Sequence, residues 1–360
     1  MTAPRWERVQ ELFAAALDQP TGARAAYVAG ATDDAAVRND VLALLRSHDS
    51  QGRLDSLTDY LGTIGARDGP DPLERLRAAL VDRYRIDREV GRGGNAIVYL
   101  AQDLKHKREV ALKLLKPEIA ATVGPARFLR EIETAARLTH PHILPVHDSG
   151  EAGGLIYYVM PLVRGESLRD RLNRDRPLPL DETVRITHEI ADALGHAHSH
   201  AVIHRDIKPE NILFIEGHAL VSDFGIARVA VTGDIRLTEP GLIMGTPAYM
   251  SPEQSESRRV DARSDVYSLG CVVFEMLGGQ PPFTGATPRA VMARHVQERV
   301  PPLQALQPSV TPALQAVVEK ALAKRPADRY ATAVAFAVAL ERASGSRESL
   351  LAKLLRRLRM

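Results

Sequence analysis

The run His204-Arg205-Asp206-Ile207-Lys208-Pro209-Glu210-Asn211 sets a carboxylate, a cation and an amide within one short loop. A second carboxylate follows in Asp223-Phe224-Gly225, where the glycine gives the backbone room to turn. Two aspartates and an asparagine that converge hold hard cations through oxygen, and Mg²⁺ held in this way also recruits phosphate oxygens. Asp206, Asn211 and Asp223 therefore point to chemistry that moves a phosphoryl group.

The elements that must position these groups can be read on either side of them. Residues 84–90 alternate as a strand, Gly91-Arg92-Gly93-Gly94-Asn95-Ala96 follows as a glycine turn, and Ile97, Val98 and Tyr99 open a second strand. Glycines let backbone amides come close to phosphate oxygens with no Cβ in the way. Lys113 ends the apolar strand Val110-Ala111-Leu112-Lys113, and an ammonium there needs an anion nearby. Glu131 and Glu133, on an amphipathic helix predicted over 125–138, are the candidates. Residues 143–147 and 155–160 are predicted as the remaining strands of a small sheet. Asp181 is predicted to cap a helix that ends at His200 and delivers the chain to the Asp206 loop. Further helices are predicted over 265–276, 287–296, 311–322 and 331–341. His196, His198 and His200 invite a metal, but no carboxylate or cysteine accompanies them, and histidines at a helix C-terminus complement its dipole.

In order, His-Arg-Asp with Asn211, Asp-Phe-Gly, and Gly245-Thr246-Pro247-Ala248-Tyr249-Met250-Ser251-Pro252-Glu253 resemble the motif set of protein kinases. The likeness is to the eukaryotic-like serine/threonine protein kinases of bacteria and runs from about residue 84 to 341. It implies an α+β, bilobed protein-kinase fold. The N-lobe (84–160) is then a small, mostly antiparallel sheet with one helix, and the C-lobe (161–341) is larger and helical. A small helical segment (1–61) and a linker with a lead-in helix (62–83) precede the kinase domain, and a basic amphipathic tail (342–360) follows it.

The resemblance also implies roles. Asp206 orients the acceptor hydroxyl and takes its proton, Lys208 offsets charge on the γ-phosphate, and Asn211 and Asp223 hold Mg²⁺ or Mn²⁺ on ATP. Val90, Gly91, Arg92, Gly93, Gly94, Asn95, Ala96 and Val98 cover the nucleotide, with Ala96 standing where a third glycine is common. Lys113 anchors the phosphates and pairs with Glu131 rather than Glu133. Met160, Pro161 and Val163 form the adenine hinge; Pro161 lacks an N–H but keeps its carbonyl. Asp170 lies at the ribose edge. Asp265 braces the catalytic loop, and Glu253 and Arg329 form a structural ion pair. In the activation segment Thr238 is the leading phosphosite and Thr232 the second, with Arg205 receiving the phosphate, while Thr246 contacts Asp206 and Lys208.

Lys208 two residues after Asp206 resembles serine/threonine rather than tyrosine kinases, which implies serine and threonine acceptors. The competing readings are a pseudokinase scaffold, against which Lys113, Asp206, Asn211 and Asp223 are all present, and a small-molecule kinase. Such enzymes usually lack the segment ending in Ser251-Pro252-Glu253. The implied partners are proteins with Ser/Thr acceptors; a kinase homodimer stays open.

Composition agrees. Among 360 residues, 45% are hydrophobic and 26% charged, as in globular proteins, and Lys+Arg 47 against Asp+Glu 45 gives no field of the size nucleic acid needs. The single cysteine, Cys271, lies in an apolar helical run and excludes an internal disulfide. No apolar stretch reaches the roughly 20 residues of a membrane-spanning helix, and no signal-peptide pattern opens the chain, so a cytoplasmic protein is expected. Leu350, Leu351, Leu354, Leu355 and Leu358 form a stripe among basic residues, which suits contact with a membrane surface through 350–359 or packing on a partner.

Overall fold

The computed structural model describes residues 71–94, 96–117, 125–224 and 247–345, together with shorter pieces between 8 and 45. The expected linker residues 62–70, the three activation-segment threonines, Asn95 and the tail at 350–359 lie outside the described residues. The chain divides into two compact units, Met1–Arg75 and Leu76–Met360. In the first, Val9, Leu12 and Ala16, helix α1 (Arg24–Ala31) through Val28, and Val37, Val41 and Leu45 form one apolar cluster. Spacings of three and four residues put these side chains on single helical faces.

Helix α2 (Pro72–Ala79) leads into the sheet. Strands β1 (Tyr84–Arg92), β2 (Ala96–Asp103), β3 (Arg108–Leu115), β4 (Asp148–Ala152) and β5 (Leu155–Pro161) pair antiparallel in the order β1-β2-β3-β5-β4. Register sets the chemistry of one face: Lys113 stands opposite Val98 on β2 and opposite Tyr158 on β5. Directly opposed residues share a face, and so do their neighbours two positions along. Helix α3 (Pro125–Ala136) closes that face by packing Phe128 and Ile132 on Ala96, Leu115, Ile156 and Tyr158.

Residues 143–147 do not form the strand that their apolar character predicts. Pro145 has no N–H to give a ladder. Ile143 makes an isolated parallel bridge to Val221 instead, and Leu144 N donates to the Val221 carbonyl at 2.9 Å. Strand β4 begins only at Asp148.

Below the sheet the chain turns helical. Gly165 crosses the Phe214 backbone so closely that a Cβ would lie 1.9 Å from its carbonyl oxygen. Helix α4 (Leu168–Arg174) then starts on a capping box in which Ser167 and Asp170 exchange bonds. Helix α5 (Leu180–Ser199) starts at Leu180, so Asp181 lies inside its first turn and makes no cap; its charge complements the helix N-terminus there. Strands β6 (Ile212–Ile215) and β7 (His218–Val221) form a two-stranded ribbon carrying the Asp206 loop on one side and Asp223 on the other. Helices α6 (Pro252–Ser255), α7 (Ala262–Gly278), α8 (Pro288–Gln297), α9 (Leu303–Leu306), α10 (Pro312–Ala321) and α11 (Ala333–Ala343) complete the lobe. Helix α7 is buried all round from Ser264 to Leu277, its Asp265 and Glu275 included. Ile190 and Leu194 of α5, Leu269 and Val273 of α7, Val318 of α10 and Phe336 of α11 share one core with it.

Candidate active site

The Asp206 loop is tied from within and from below. Asp206 Oδ2 takes the Lys208 ammonium at 2.7 Å and an Asn211 Nδ2 hydrogen at 3.1 Å, while Asn211 Nδ2 also donates to the Asp206 carbonyl at 2.8 Å. Asn211 thus spends its amide hydrogens inward, and no described residue donates to its Oδ1. Burial works against the Lys208 charge, but Asp206 outweighs it and holds the ammonium above its ordinary pKa. His204, with no solvent exposure, accepts from Asp206 N at Nδ1 (3.2 Å) and bonds the Ser222 carbonyl through Nε2 (2.8 Å). Ser222 N in turn donates to the Asn211 carbonyl at 2.9 Å, so the residue before Asp223 is locked to the loop that holds Asp206.

Asp265, fully enclosed at the start of α7, is the brace beneath. Its Oδ2 accepts from His204 N and its Oδ1 from Arg205 N, both at 2.8 Å, and His198 Nε2 lies 2.7 Å from Oδ2. His198 is therefore engaged with a carboxylate, and the His196 and His200 rings lie tilted to each other with centroids 4.5 Å apart. No metal-holding group of three or more His, Cys, Asp or Glu occurs among the described residues. Arg205 and Asp223 both have left-handed backbones, φ 69° and 65°, a conformation that costs a side-chain-bearing residue free energy and clusters at functional sites. Phe224 sets its ring edge against His204, centroids 4.6 Å apart.

The partner of Lys113 differs from the expectation. Its ammonium bonds Asp223 Oδ2 at 2.7 Å, in place of the expected Glu131. Asp223 is 14% exposed, and a carboxylate so enclosed gains from a cation beside it. Burial pushes the Asp223 carboxyl up, but Lys113, then the Tyr158 hydroxyl, bring it below the usual range.

The glycine loop suits a ligand. A Cβ at Gly91 or Gly94 would meet nothing in the protein within 4 Å, and neither residue has a positive φ. Nothing among the described residues requires glycine there, and the open space leaves room for a ligand to approach the backbone. The Arg92 side chain turns outward to Glu89 at 2.6 Å. Met160 and Pro161 end β5 opposite Ala111 and Val110, and Val163 follows half-buried. Val90, Ala96 and Val98 line β1 and β2. Asp170, expected at the ribose edge, accepts from Ser167 N and Oγ through Oδ2 in the capping box, at 2.9 and 2.6 Å. The oxygens of Asp206, Asn211 and Asp223 are the donor set a divalent cation on a nucleotide takes, with Lys113 and Lys208 as counter-charges to phosphate.

Glu253 and Arg329 meet as a bidentate pair, both contacts 2.7 Å, with Arg329 wholly enclosed. The motifs do not disclose a second network. Arg169 of α4 bonds Glu210 (2.8 Å), Glu275 of α7 (2.7 Å) and the Tyr249 hydroxyl, joining the Asp206 loop to α7. Its signal in the sequence is Glu275, a carboxylate inside an apolar run that burial obliges to find a cation. Tyr158 is the other residue that sequence reasoning missed.

A two-lobed fold with this loop, this strand lysine and this glycine turn defines a protein kinase, and the chain belongs to the protein kinase domain family, whose model matches residues 84–339. It is similar to the serine/threonine-protein kinase PknB of Mycolicibacterium smegmatis, 45% identical over 260 residues that make up 71% of this chain and 42% of that protein. The serine/threonine-protein kinase PknB of Mycobacterium tuberculosis is 44% identical over 260 residues, again 71% of this chain and 42% of the relative. The chain thus matches about two fifths of the length of these curated relatives. No helix among the described residues is long and apolar enough to cross a membrane.

Proposed function

We propose that this chain transfers the γ-phosphoryl group of ATP to serine and threonine hydroxyls of proteins, its own activation segment included. The observation that carries the proposal is the interlocked set Asp206, Lys208 and Asn211, tied through His204 and Ser222 to Asp223 and so to Lys113. Bound ATP with Mg²⁺ or Mn²⁺ supplies the phosphoryl group and a cation that offsets its charge. The chain's own residues do the rest by position and electrostatics.

Asp206, held by Lys208 and Asn211, orients the acceptor hydroxyl and takes its proton. Lys208 faces the charge that grows on the transferred group. Asn211 Oδ1 and the Asp223 carboxylate offer cation ligands, and Lys113 anchors the phosphates beneath Gly91, Gly93 and Gly94. The carbonyl of Pro161, just after Met160, and the amide of Val163 hold the adenine. Serine and threonine specificity is supported by Lys208 at its place after Asp206 and by the names of the similar serine/threonine-protein kinases. Phosphorylation at Thr238, with Thr232 second, switches activity through Arg205.

The test is transfer from labelled ATP by wild type, Lys113→Ala and Asp206→Asn, offered a casein-like protein and small alcohols. Wild type should label itself and the protein, and mass spectrometry should place phosphate at Thr238. Both variants should stay folded and lose about 100-fold or more. Labelled alcohol without labelled protein, or near-native turnover by Asp206→Asn, would overturn the reading.

A further inference from the structure

Tyr158 belongs to none of the motifs, yet it reaches the centre of the site. It stands opposite Lys113 on β5, with its ring enclosed by Phe128, Ile132 and Leu115 at 1% exposure. Its hydroxyl donates to Asp223 Oδ1 at 2.7 Å while Lys113 takes Oδ2 at the same distance. The two tethers come from adjacent strands and grip the two oxygens of one carboxylate.

The backbone alone does not aim that carboxylate. Asp223 sits at φ 65°, and both of its carboxylate oxygens are held by side chains of the sheet, which fix the direction of the group. A hydrogen bond from an enclosed phenol to a carboxylate is charge-assisted and short. A carboxylate oxygen has two lone pairs, so Oδ1 can take the hydroxyl and still ligate a cation.

We propose that Tyr158 is a positioning residue whose hydroxyl holds the Asp223 carboxylate in the orientation that accepts the divalent cation of the nucleotide. The inference rests on the proposed role of Asp223 as a cation ligand. Without the hydroxyl, Phe fills the same volume but leaves Lys113 as the side-chain partner of Asp223 among the described residues, and the carboxylate then swings about its side-chain torsion. Losing one bond to a charged group predicts a weakening of about 10-fold or more in cation-dependent binding.

The experiment titrates a fluorescent ATP analogue into the full chain with and without Mg²⁺, using wild type, Tyr158→Phe, Tyr158→Met, Tyr157→Phe and Asp223→Asn, each checked by thermal melting. Tyr158→Phe and Tyr158→Met should bind the metal-free nucleotide within about twofold of wild type and need about 10-fold more Mg²⁺ for the same gain. Tyr157→Phe, on the opposite face of β5, should behave as wild type. If Tyr158→Phe keeps the wild-type Mg²⁺ midpoint while Asp223→Asn loses its response, the role of Tyr158 is overturned and that of Asp223 stands. If Asp223→Asn retains the Mg²⁺ response, the underlying reading of Asp223 fails instead. Equal losses with and without Mg²⁺, accompanied by a lower melting temperature, would make the hydroxyl a structural tether and overturn the proposal.

Discussion

At the residue scale, Asp265 has no place in phosphoryl transfer, but the loop that carries Asp206 hangs from it. Its two oxygens collect two backbone N–H groups and the His198 ring in a site with no solvent exposure. Asparagine at 265 keeps the shape but replaces one acceptor oxygen with a donor that opposes an N–H. A buried donor left without an acceptor costs about 1–3 kcal/mol, and Asp265→Asn should lose that much in urea unfolding. Turnover should fall further than nucleotide affinity, because the loop and not the hinge is released. Unchanged stability would mean that water or a neighbour replaces the lost acceptor.

At the element scale, the passage from β5 into α4 depends on one position. Gly165 allows the segment to run against the Phe214 backbone of β6, and Phe214 N closes the contact by donating to the Glu166 carbonyl at 3.0 Å. Alanine there would put a methyl group 1.9 Å from a carbonyl oxygen that cannot rotate away. Gly165→Ala should therefore reach or pass the upper end of the about 1–3 kcal/mol typical of overpacking. Because the strain falls between the hinge and the Asp206 loop, the KM for ATP should rise as well. A melting temperature equal to wild type would show that the two segments separate at little cost.

At the scale of the whole molecule, stability should fall on acidification in two stages. His295 is buried in α8 beside Tyr267 and Phe283; burial, then the Lys324 charge, lower its pKa from 6.5 to about 3. The folded imidazole stays neutral while the unfolded one takes a proton, so its contribution is complete above pH 6.5 and drains as pH falls toward 3. The loss is at most about 1.4 kcal/mol per pH unit. Asp223, Asp265 and Glu253 are held below their ordinary values of 3.8, 3.8 and 4.5, so their contributions persist to lower pH and are lost only as pH falls through the folded values. Melting temperatures between pH 7 and 5 should decline for wild type and decline less for His295→Gln. Some slope should remain, since burial also lowers His140 and His147. Parallel profiles would assign the first stage to other groups.

The chemistry was legible in the sequence because it depends on residue type at fixed spacing. Asp206, Lys208 and Asn211 lie within one loop, and a glycine turn ahead of a strand lysine is a local pattern. The helices over 265–276, 287–296, 311–322 and 331–341 were legible for the same reason, since an apolar face repeats every three or four residues. What the chain could not disclose locally was which group each side chain meets. Pro145 denied a strand to an apolar run, and β4 formed from the polar stretch beyond it. Lys113 took Asp223, distant in sequence, because strand register and enclosure select among carboxylates whose types are identical. Tyr157 and Tyr158 look alike in a run of five buried residues with no alternation. Only the pairing of β3 with β5 turned Tyr158 toward Asp223, because a shift of one residue in register exchanges the two faces of a strand.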